Sequence, residues 1–469
     1  MLAPFLPLLE SCSGGTEREK NTGVVQSIER KKYNLVVLAI DTLRADHLGC
    51  YGYPRDTSPN IDRFAKKCFR FDNAFSPSGW TVPSFASLFT GQYPMTHGMM
   101  RGDELYPDDM MMIQDVLENS EDYASVYFVA KSYLKSMGRR GLAHQFDKWQ
   151  YWERYDLKHY EAVLEFIEEN KTQPFYLFFH TFDVHGPYLP PSPFHRKFVF
   201  DEFFGEEVVE VPVQEKDFMD SQIILPERGV APGFLEAMKS NDARYIISQY
   251  DGTIAYTDAM VGKVLDSLEN NGLLDRTIVL IMSDHGESMA EHDLFFAHTS
   301  YYEQVNRIPF LMYVPNTNPR TIPGQIQLED VFPTICDLFG LSIPPSVEGV
   351  SFLPLLTGER ESVRDYTYSL GVHYGTIRGD FKDSCWKLVL PGGTDKKGRQ
   401  LSEPFLFNLT DDPEEMKNFY GTGLEVEDFL KAKYREWRSR PVGESKSGDY
   451  EKADFDEEAL EALRNFGYL

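Results

Sequence analysis

The stretch LVVLAIDTLR at residues 35–44 decides the fold class. Its first six residues form a continuous aliphatic run, which is typical of a strand buried on both faces of a parallel sheet. Similar runs occur at 175–179, 277–282 and 309–314, and amphipathic stretches such as 254–268 lie between them. Strands that alternate with helices predict an α/β fold with a central, mostly parallel sheet sandwiched by helices.

Composition excludes several classes of protein. The chain has 469 residues, of which 42% are hydrophobic and 14% aromatic, so it can bury a large core and is not a disordered chain. A formal net charge of -26 argues against nucleic-acid binding, which depends on Lys and Arg at phosphates. No apolar run is long enough to predict a transmembrane segment. An anionic substrate would need a metal ion or a local positive charge.

The N-terminal segment 1–32 allows two interpretations. Cys12 follows an apolar run at 2–9 and precedes a Ser-Gly-Gly sequence, as in the signal of a bacterial lipoprotein, although the initial basic residues are missing. In that case the protein lies in the cell envelope or periplasm, anchored through a lipid on Cys12. Alternatively, the segment is a frayed terminus without function and the protein is cytoplasmic.

The remaining chain divides into two predicted units. Residues 33–364 form the catalytic domain, and residues 365–469 form a smaller α+β subdomain with short β-like pieces and acidic helical segments. Within the first unit, 187–241 is rich in Pro, Phe and acidic residues and is too long for an ordinary connection. We expect it to pass over the sheet rim and shape a substrate cleft.

Polar residues follow the predicted strands. Asp41 follows the first run, His185 lies shortly after the second, and Asp284 and His285 follow the third. Because the carboxyl ends of parallel strands meet at one edge of a sheet, these side chains should share a site. Two carboxylates and an imidazole suit a divalent cation. Taken singly, an aspartate after a strand is most often a turn former or a helix cap.

A further candidate lies in the segment 80–91. Thr81 is a predicted N-cap, Pro83 suits the first turn of a helix, and Gly91 suits its end. A hydroxyl at a helix N-terminus, coordinated by a cation, could lose its proton and attack phosphorus or sulfur. Capping alone is the alternative explanation for this threonine.

Together these residues resemble the sulfatase family within the alkaline phosphatase superfamily. The similarity runs from Asn34 to Leu469 and implies a metal-dependent ester hydrolase with the predicted α/β fold. Its landmarks are 41–46, 52–53, 57–62, 81–91, 185–188, 283–287, 291–292, 302–309, 330–334, 348–356, 408–414 and 463–468.

The chain departs from this family at the nucleophile. Sulfatases carry Cys or Ser in a C/S-x-P-S-R motif, and that residue is oxidised to formylglycine. Here the motif is 81–85, with Thr81 at the first position and Phe85 in place of arginine. Threonine cannot give the aldehyde, but it is the nucleophile in other branches of the superfamily. The resemblance therefore implies a threonine-nucleophile branch without formylglycine chemistry.

The resemblance also implies the metal ligands. In phosphonate monoester hydrolases, Asp, nucleophile, Asp and His bind one metal, and this pattern corresponds to Asp41, Thr81, Asp284 and His285. The imidazole nitrogen favours Mn or Zn, with Ca or Mg as the alternatives. A second metal, held by Asp183, His185 and His298, is a further alternative that we rank lower because the Asp-x-His spacing is short.

Three more positions resemble residues that contact substrate. His185 and His298 match positions near the leaving group or the anion oxygens, and one of them would protonate the leaving alcohol. Lys131 corresponds loosely to a family lysine, but a solvated surface lysine explains it equally well.

The sequence therefore predicts a hydrolase of phosphate, phosphonate or sulfate esters. Phosphodiesters are favoured, because a threonine adduct cannot expel its group by collapsing to an aldehyde. The substrate would be a small-molecule, glycan-derived or lipid-derived anionic ester. The alternatives are a sulfuric ester hydrolase and a degenerate sulfatase-like protein that binds an anion or glycan without turnover. Nothing in the sequence predicts an oligomeric state.

Overall fold

The computed structural model describes residues 33–440 except 101–103, 105, 108–109, 121–122, 130–145, 153–154, 187, 200–242, 290, 294, 299, 372 and 393–402. The segment 1–32 with Cys12, the side chain of Lys131, and residues 441–469 therefore lie outside the described residues. Of the predicted excursion at 187–241, only 188–199 are described. No helix in the described ranges has the length and apolar character that spanning a bilayer requires.

Strands are numbered in chain order. They are β1 (Asn34–Ile40), β2 (Phe69–Phe71), β3 (Ala74–Phe75), β4 (Ala124–Val129), β5 (Lys148–Tyr151), β6 (Phe175–Thr181), β7 (Thr277–Met282), β8 (Ser288–Met289), β9 (Phe295–Ala297), β10 (Arg307–Ile308), β11 (Phe310–Tyr313), β12 (Thr321–Ile322), β13 (Ile326–Gln327), β14 (Tyr366–Leu370), β15 (Tyr374–Phe381), β16 (Ser384–Pro391) and β17 (Phe405–Asn408).

The α-helices follow the same convention. They are α1 (Pro59–Ala65), α2 (Thr81–Thr90), α3 (Pro94–His97), α4 (Ile113–Ser120), α5 (Leu157–Asn170), α6 (Ala243–Asn270), α7 (Glu303–Asn306), α8 (Val331–Phe339), α9 (Leu353–Thr357) and α10 (Glu425–Arg438).

The central sheet confirms the predicted fold class. Within the described residues it has eight strands in the order β12-β2-β11-β7-β1-β6-β4-β5. Neighbouring strands from β7 to β5 are parallel, whereas β11 is antiparallel to β7. The fourth aliphatic run thus forms a strand, but the described residues between β7 and β11 contain no long crossover helix, so β11 returns antiparallel.

Alternate side chains of β1 enter two separate cores. Leu35, Val37 and Ala39 pack in the core on the α2 and α8 face. Val36, Leu38 and Ile40 pack in the core on the α5 and α6 face. Burial on both faces explains why the run is uniformly aliphatic instead of alternating with polar residues.

A second sheet lies in the C-terminal part of the chain. Strands β14 to β17 form a four-stranded antiparallel sheet that starts at Tyr366, and α10 packs against it. Glu303 on α7 joins this sheet to the catalytic part, because it pairs with Arg378 at 3.1 Å and with Lys387 at 3.1 Å. The observed architecture is the predicted α/β unit with a smaller α+β subdomain.

Candidate active site

The parallel strands bring the predicted aspartates together. Asp41 directly follows β1 and Asp284 lies two residues beyond β7, and these two strands are neighbours in the sheet. The loops are tied to each other, since the Thr42 amide donates to Asp284 Oδ1 at 3.3 Å and the Leu43 amide donates to Ser283 Oγ at 3.0 Å. Both carboxylates are fully buried.

Thr81 faces these carboxylates from the start of α2. Its hydroxyl donates to Asp41 Oδ2 at 3.3 Å and lies 3.5 Å from His285 Nε2. The predicted role of Thr81 as N-cap is wrong: Trp80 occupies that position, and Thr81 is the first helical residue. Because its hydroxyl does not cap the helix, it is directed at the acidic pair.

The spacing of these atoms fits one cation. His285 Nε2 lies 3.4 Å from Asp284 Oδ2 and 4.0 Å from Asp41 Oδ1. Ligands bound at about 2.1 Å lie about 3.0–3.4 Å apart in octahedral or tetrahedral geometry. Asp41 Oδ1 and Asp284 Oδ2 are buried without a hydrogen-bond partner. The structure thus brings together Asp41, Thr81, Asp284 and His285, and their orphaned oxygens fit a bound ion.

The electrostatics of the site also favour a bound cation. Burial, reinforced by the charge of Asp284, raises the pKa of Asp41 well above its usual value, and burial likewise raises the pKa of Asp284. Burial lowers the pKa of His285 to about 3, so its imidazole is neutral at pH 7. Two buried carboxylates beside the neutral imidazole of His285 are costly unless a cation balances them.

His298 and His185 lie beside this group. The His298 ring stacks on His285 at a centroid distance of 4.8 Å and lies 5.2 Å from the ring of His185. His298 Nδ1 lies 3.7 Å from Glu287 Oε1. Burial acts to lower the pKa of His298, but the close approach and negative charge of Glu287 outweigh it and raise the pKa. Glu287 also accepts a hydrogen bond from Tyr188 at 2.9 Å.

Asp183 is engaged elsewhere. Its Oδ2 accepts a hydrogen bond from Tyr160 at 2.6 Å and its Oδ1 accepts one from the Tyr155 amide at 2.8 Å. Both oxygens are therefore used near the start of α5. This placement disfavours the two-metal alternative, which needs Asp183 as a ligand with His185 and His298.

Two residues of this site were missed at the level of the sequence. His180 on β6 is buried, with Nε2 at 3.1 Å from Asp41 Oδ2. Ligand atoms of Asp41, His180 and Asp284 all lie within 4.8 Å of one another. Glu287 lies within a recognised landmark, but no role was assigned to it. The usable signal for His180 was its position as an imidazole in a stripe of aromatic residues, next to the strand of Asp41.

Comparison with known proteins places the chain in a family. The sequence model described as Sulfatase matches residues 33–341, and that described as N-sulphoglucosamine sulphohydrolase, C-terminal, matches residues 290–439. The chain belongs to the sulfatase family. Members of this family are metal-dependent hydrolases, in agreement with the buried Asp-His-Asp group.

Individual relatives of this sulfatase-family chain are distant. An arylsulfatase of Clostridium perfringens is 26% identical over 82% of this chain and 90% of the relative. An N-acetylglucosamine-6-O-sulfatase of Bacteroides thetaiotaomicron is 22% identical over 84% of each chain. The solved phosphonate monoester hydrolase of Silicibacter pomeroyi has a TM-score of 0.70 at 18% identity, over 88% of this chain and 96% of the other, which shows a common fold.

Phe85 changes the surroundings of the sulfatase site. Its ring packs edge-on against His180 at 4.6 Å and against Phe178 at 5.3 Å. The position that carries an arginine in the family motif therefore contributes apolar packing here. No Lys or Arg within the described ranges forms an ion pair with Asp41 or Asp284.

Proposed function

We propose that this chain is a single-metal ester hydrolase that uses Thr81 as its nucleophile and cleaves phosphate or phosphonate esters, with phosphodiesters favoured. One observation carries the proposal: the Thr81 hydroxyl lies 3.3 Å from Asp41 Oδ2 and 3.5 Å from His285 Nε2. The buried hydroxyl of Thr81 thus lies next to an oxygen and a nitrogen of two proposed metal ligands.

The implied cofactor is one divalent cation. Asp41, Thr81, Asp284 and His285 would hold Mn or Zn, which would supply a positive charge that favours the ionised hydroxyl and neutralises the anionic ester. The nitrogen of His285 among oxygen ligands favours these ions over Ca and Mg.

The protein residues then carry two displacement steps. Thr81 Oγ1 passes its proton to Asp41 Oδ2, the acceptor of its hydrogen bond, and forms a bond to phosphorus, while the bond to the leaving alcohol breaks. His298 or His185 donates a proton to that departing oxygen. Water next gives a proton to the histidine that lost one and attacks the phosphothreonine, and the Thr81 oxygen leaves and regains its proton from Asp41 Oδ2. Glu287 orients His298 through Nδ1, so that Nε2 remains for proton transfer.

Phosphate is favoured over sulfate by the nucleophile itself. A formylglycine hydrate releases sulfate by collapse to the aldehyde, and the methyl group of Thr81 rules out that route. Direct attack of water on the adduct suits a phosphoryl group better than a sulfuryl group. The second candidate is sulfate ester hydrolysis, because two of the relatives are named arylsulfatase and N-acetylglucosamine-6-O-sulfatase. Under either reading the substrate is a small-molecule, glycan-derived or lipid-derived anionic ester.

Substitution of Thr81 tests the proposal. Wild type, Thr81→Ala and Thr81→Ser should be assayed on aryl phosphodiester, aryl phosphonate and aryl sulfate esters with Mn or Zn. We expect Thr81→Ala to lose at least about a thousandfold in kcat, and Thr81→Ser to retain turnover. Thr90→Ala, a buried threonine at the other end of α2, is the matched control and should retain wild-type rates. Unchanged turnover in Thr81→Ala would exclude Thr81 as nucleophile, and preference for the sulfate ester would favour the second candidate.

A further inference from the structure

His180 interrupts an apolar stripe on β6. Tyr176, Phe178 and Phe182 are buried in the core that faces α2, and His180 occupies the intervening position of the same alternation. A histidine that is buried in such a stripe needs polar partners for both ring nitrogens. Both partners are present: Asp41 lies on the Nε2 side of the ring and Tyr127 on the Nδ1 side.

The Nε2 side of His180 faces the acidic pair. It lies 3.1 Å from Asp41 Oδ2, the oxygen that also accepts the Thr81 hydroxyl. Two ligands at right angles around an ion bound at about 2.1 Å lie about 3.0 Å apart, so this distance is that of neighbouring ligands. Asp284 contributes an atom to the same cluster, within 4.8 Å of the other two ligand atoms.

The Nδ1 side of His180 faces Tyr127 on β4. The Tyr127 hydroxyl lies 3.3 Å from Nδ1. Metal-binding histidines characteristically hold their second nitrogen against an oxygen, which fixes the orientation of the ring. The edge of Phe85 at 4.6 Å restricts the ring further.

We propose that His180 is a fifth protein ligand of the cation bound by Asp41, Thr81, Asp284 and His285, and that Tyr127 positions it through Nδ1. This inference rests on the single-metal site of the proposed function. It gives two imidazoles per ion, which raises the preference for Zn or Mn over Mg and Ca. It also assigns a purpose to Phe85, because an arginine there would place a positive charge next to a metal ligand.

X-ray absorption of the zinc-loaded, untagged full chain tests this assignment. At one equivalent of zinc, we expect multiple scattering from two imidazoles per ion. His180→Gln and His285→Gln should each show one imidazole, and His180→Gln should weaken zinc binding at least about a hundredfold. His97→Gln is the matched control, because His97 is a buried histidine bonded to Ser87 and to the Met99 amide. The His97→Gln variant should retain two imidazoles per zinc ion.

The wild-type spectrum decides the inference even when a variant fails to fold. One imidazole per zinc would overturn the proposal that His180 and His285 both bind the ion. That result leaves the proposed function standing if Thr81→Ala still abolishes turnover. A chain that binds neither zinc nor manganese would overturn both. Tyr127→Phe should keep two imidazoles and weaken zinc binding by about tenfold; loss of an imidazole in that variant would contradict its purely positioning role.

Discussion

Replacement of Asp284 by asparagine should have opposite effects on stability in the absence and presence of metal. Asp284 Oδ1 accepts the His285 amide at 3.0 Å and the Thr42 amide at 3.3 Å, and an asparagine oxygen can keep both bonds. Oδ2 has no hydrogen-bond partner and adds a second buried charge beside Asp41. Removal of that charge should stabilise the metal-free chain by about 1–3 kcal/mol, the usual penalty of a buried unsatisfied polar group.

When metal is bound, Asp284→Asn should destabilise the chain instead of stabilising it. A cation at a hundred times its Kd stabilises the wild type by about 2.7 kcal/mol, and the variant loses most of that gain. The pH dependence follows from the raised pKa values of Asp41 and Asp284. Stability tied to these groups is complete below their unfolded pKa and is lost as pH rises through their folded pKa. In chelator, the advantage of Asp284→Asn should therefore shrink as the pH is lowered.

Thermal unfolding in EDTA and in excess Mn or Zn measures both effects. Asp251→Asn is the matched control, because Asp251 is equally buried but is already paired with Arg55 and His47, each at 2.7 Å. It should lose about 3–5 kcal/mol in both conditions, since the substitution leaves a buried cation unpaired. If Asp284→Asn melts at a lower temperature than wild type in EDTA, the second buried carboxylate does not destabilise the metal-free chain, and the prediction is wrong.

Substitutions of Lys387, Glu329 and Phe85 test buried charges and packing in the fold, with Lys382 as a control. Lys387→Met should lower the free energy of unfolding by about 3–5 kcal/mol in urea titrations, because the buried carboxylate of Glu415 loses its ion-pair partner. Lys382→Met, in an exposed pair, should change it by under about 1 kcal/mol. Burial raises the pKa of Glu329 to about 8. The contribution of this group to stability is therefore lost as the pH rises through that value. Glu329→Gln should melt at a higher temperature than wild type at about pH 9, and by a smaller margin at about pH 6. Phe85→Ala should cost about 3–5 kcal/mol in the same titrations, and Phe85→Leu clearly less; equal losses would contradict a packing role.

Much of the fold followed from local pattern. The aliphatic runs predicted β1, β6, β7 and β11 because strands buried on both faces must be apolar throughout. The direction of β11 did not follow, since a run of apolar residues carries no information about its pairing partner.

The sequence predicted the site residues only where their positions along the chain imply that they lie close together in the fold. Asp41 and Asp284 follow strands, so the rule of carboxyl ends placed them together before any coordinates. His180 lies one residue before the end of β6, inside an apolar run, and only the register that pairs it with Ala39 shows that it neighbours Asp41. The cap at α2 was misassigned because Thr81 and Trp80 differ by one residue, and propensity favours threonine.

Detection of a covalent adduct tests the central claim most directly. Wild-type protein with Mn or Zn should be mixed with an aryl phosphodiester, quenched in acid during turnover, digested and sequenced by mass spectrometry. The account predicts a phosphoryl ester on Thr81, absent from Thr81→Ala and present in Thr90→Ala. Steady turnover without any modification of Thr81, or an adduct on another side chain, would contradict it.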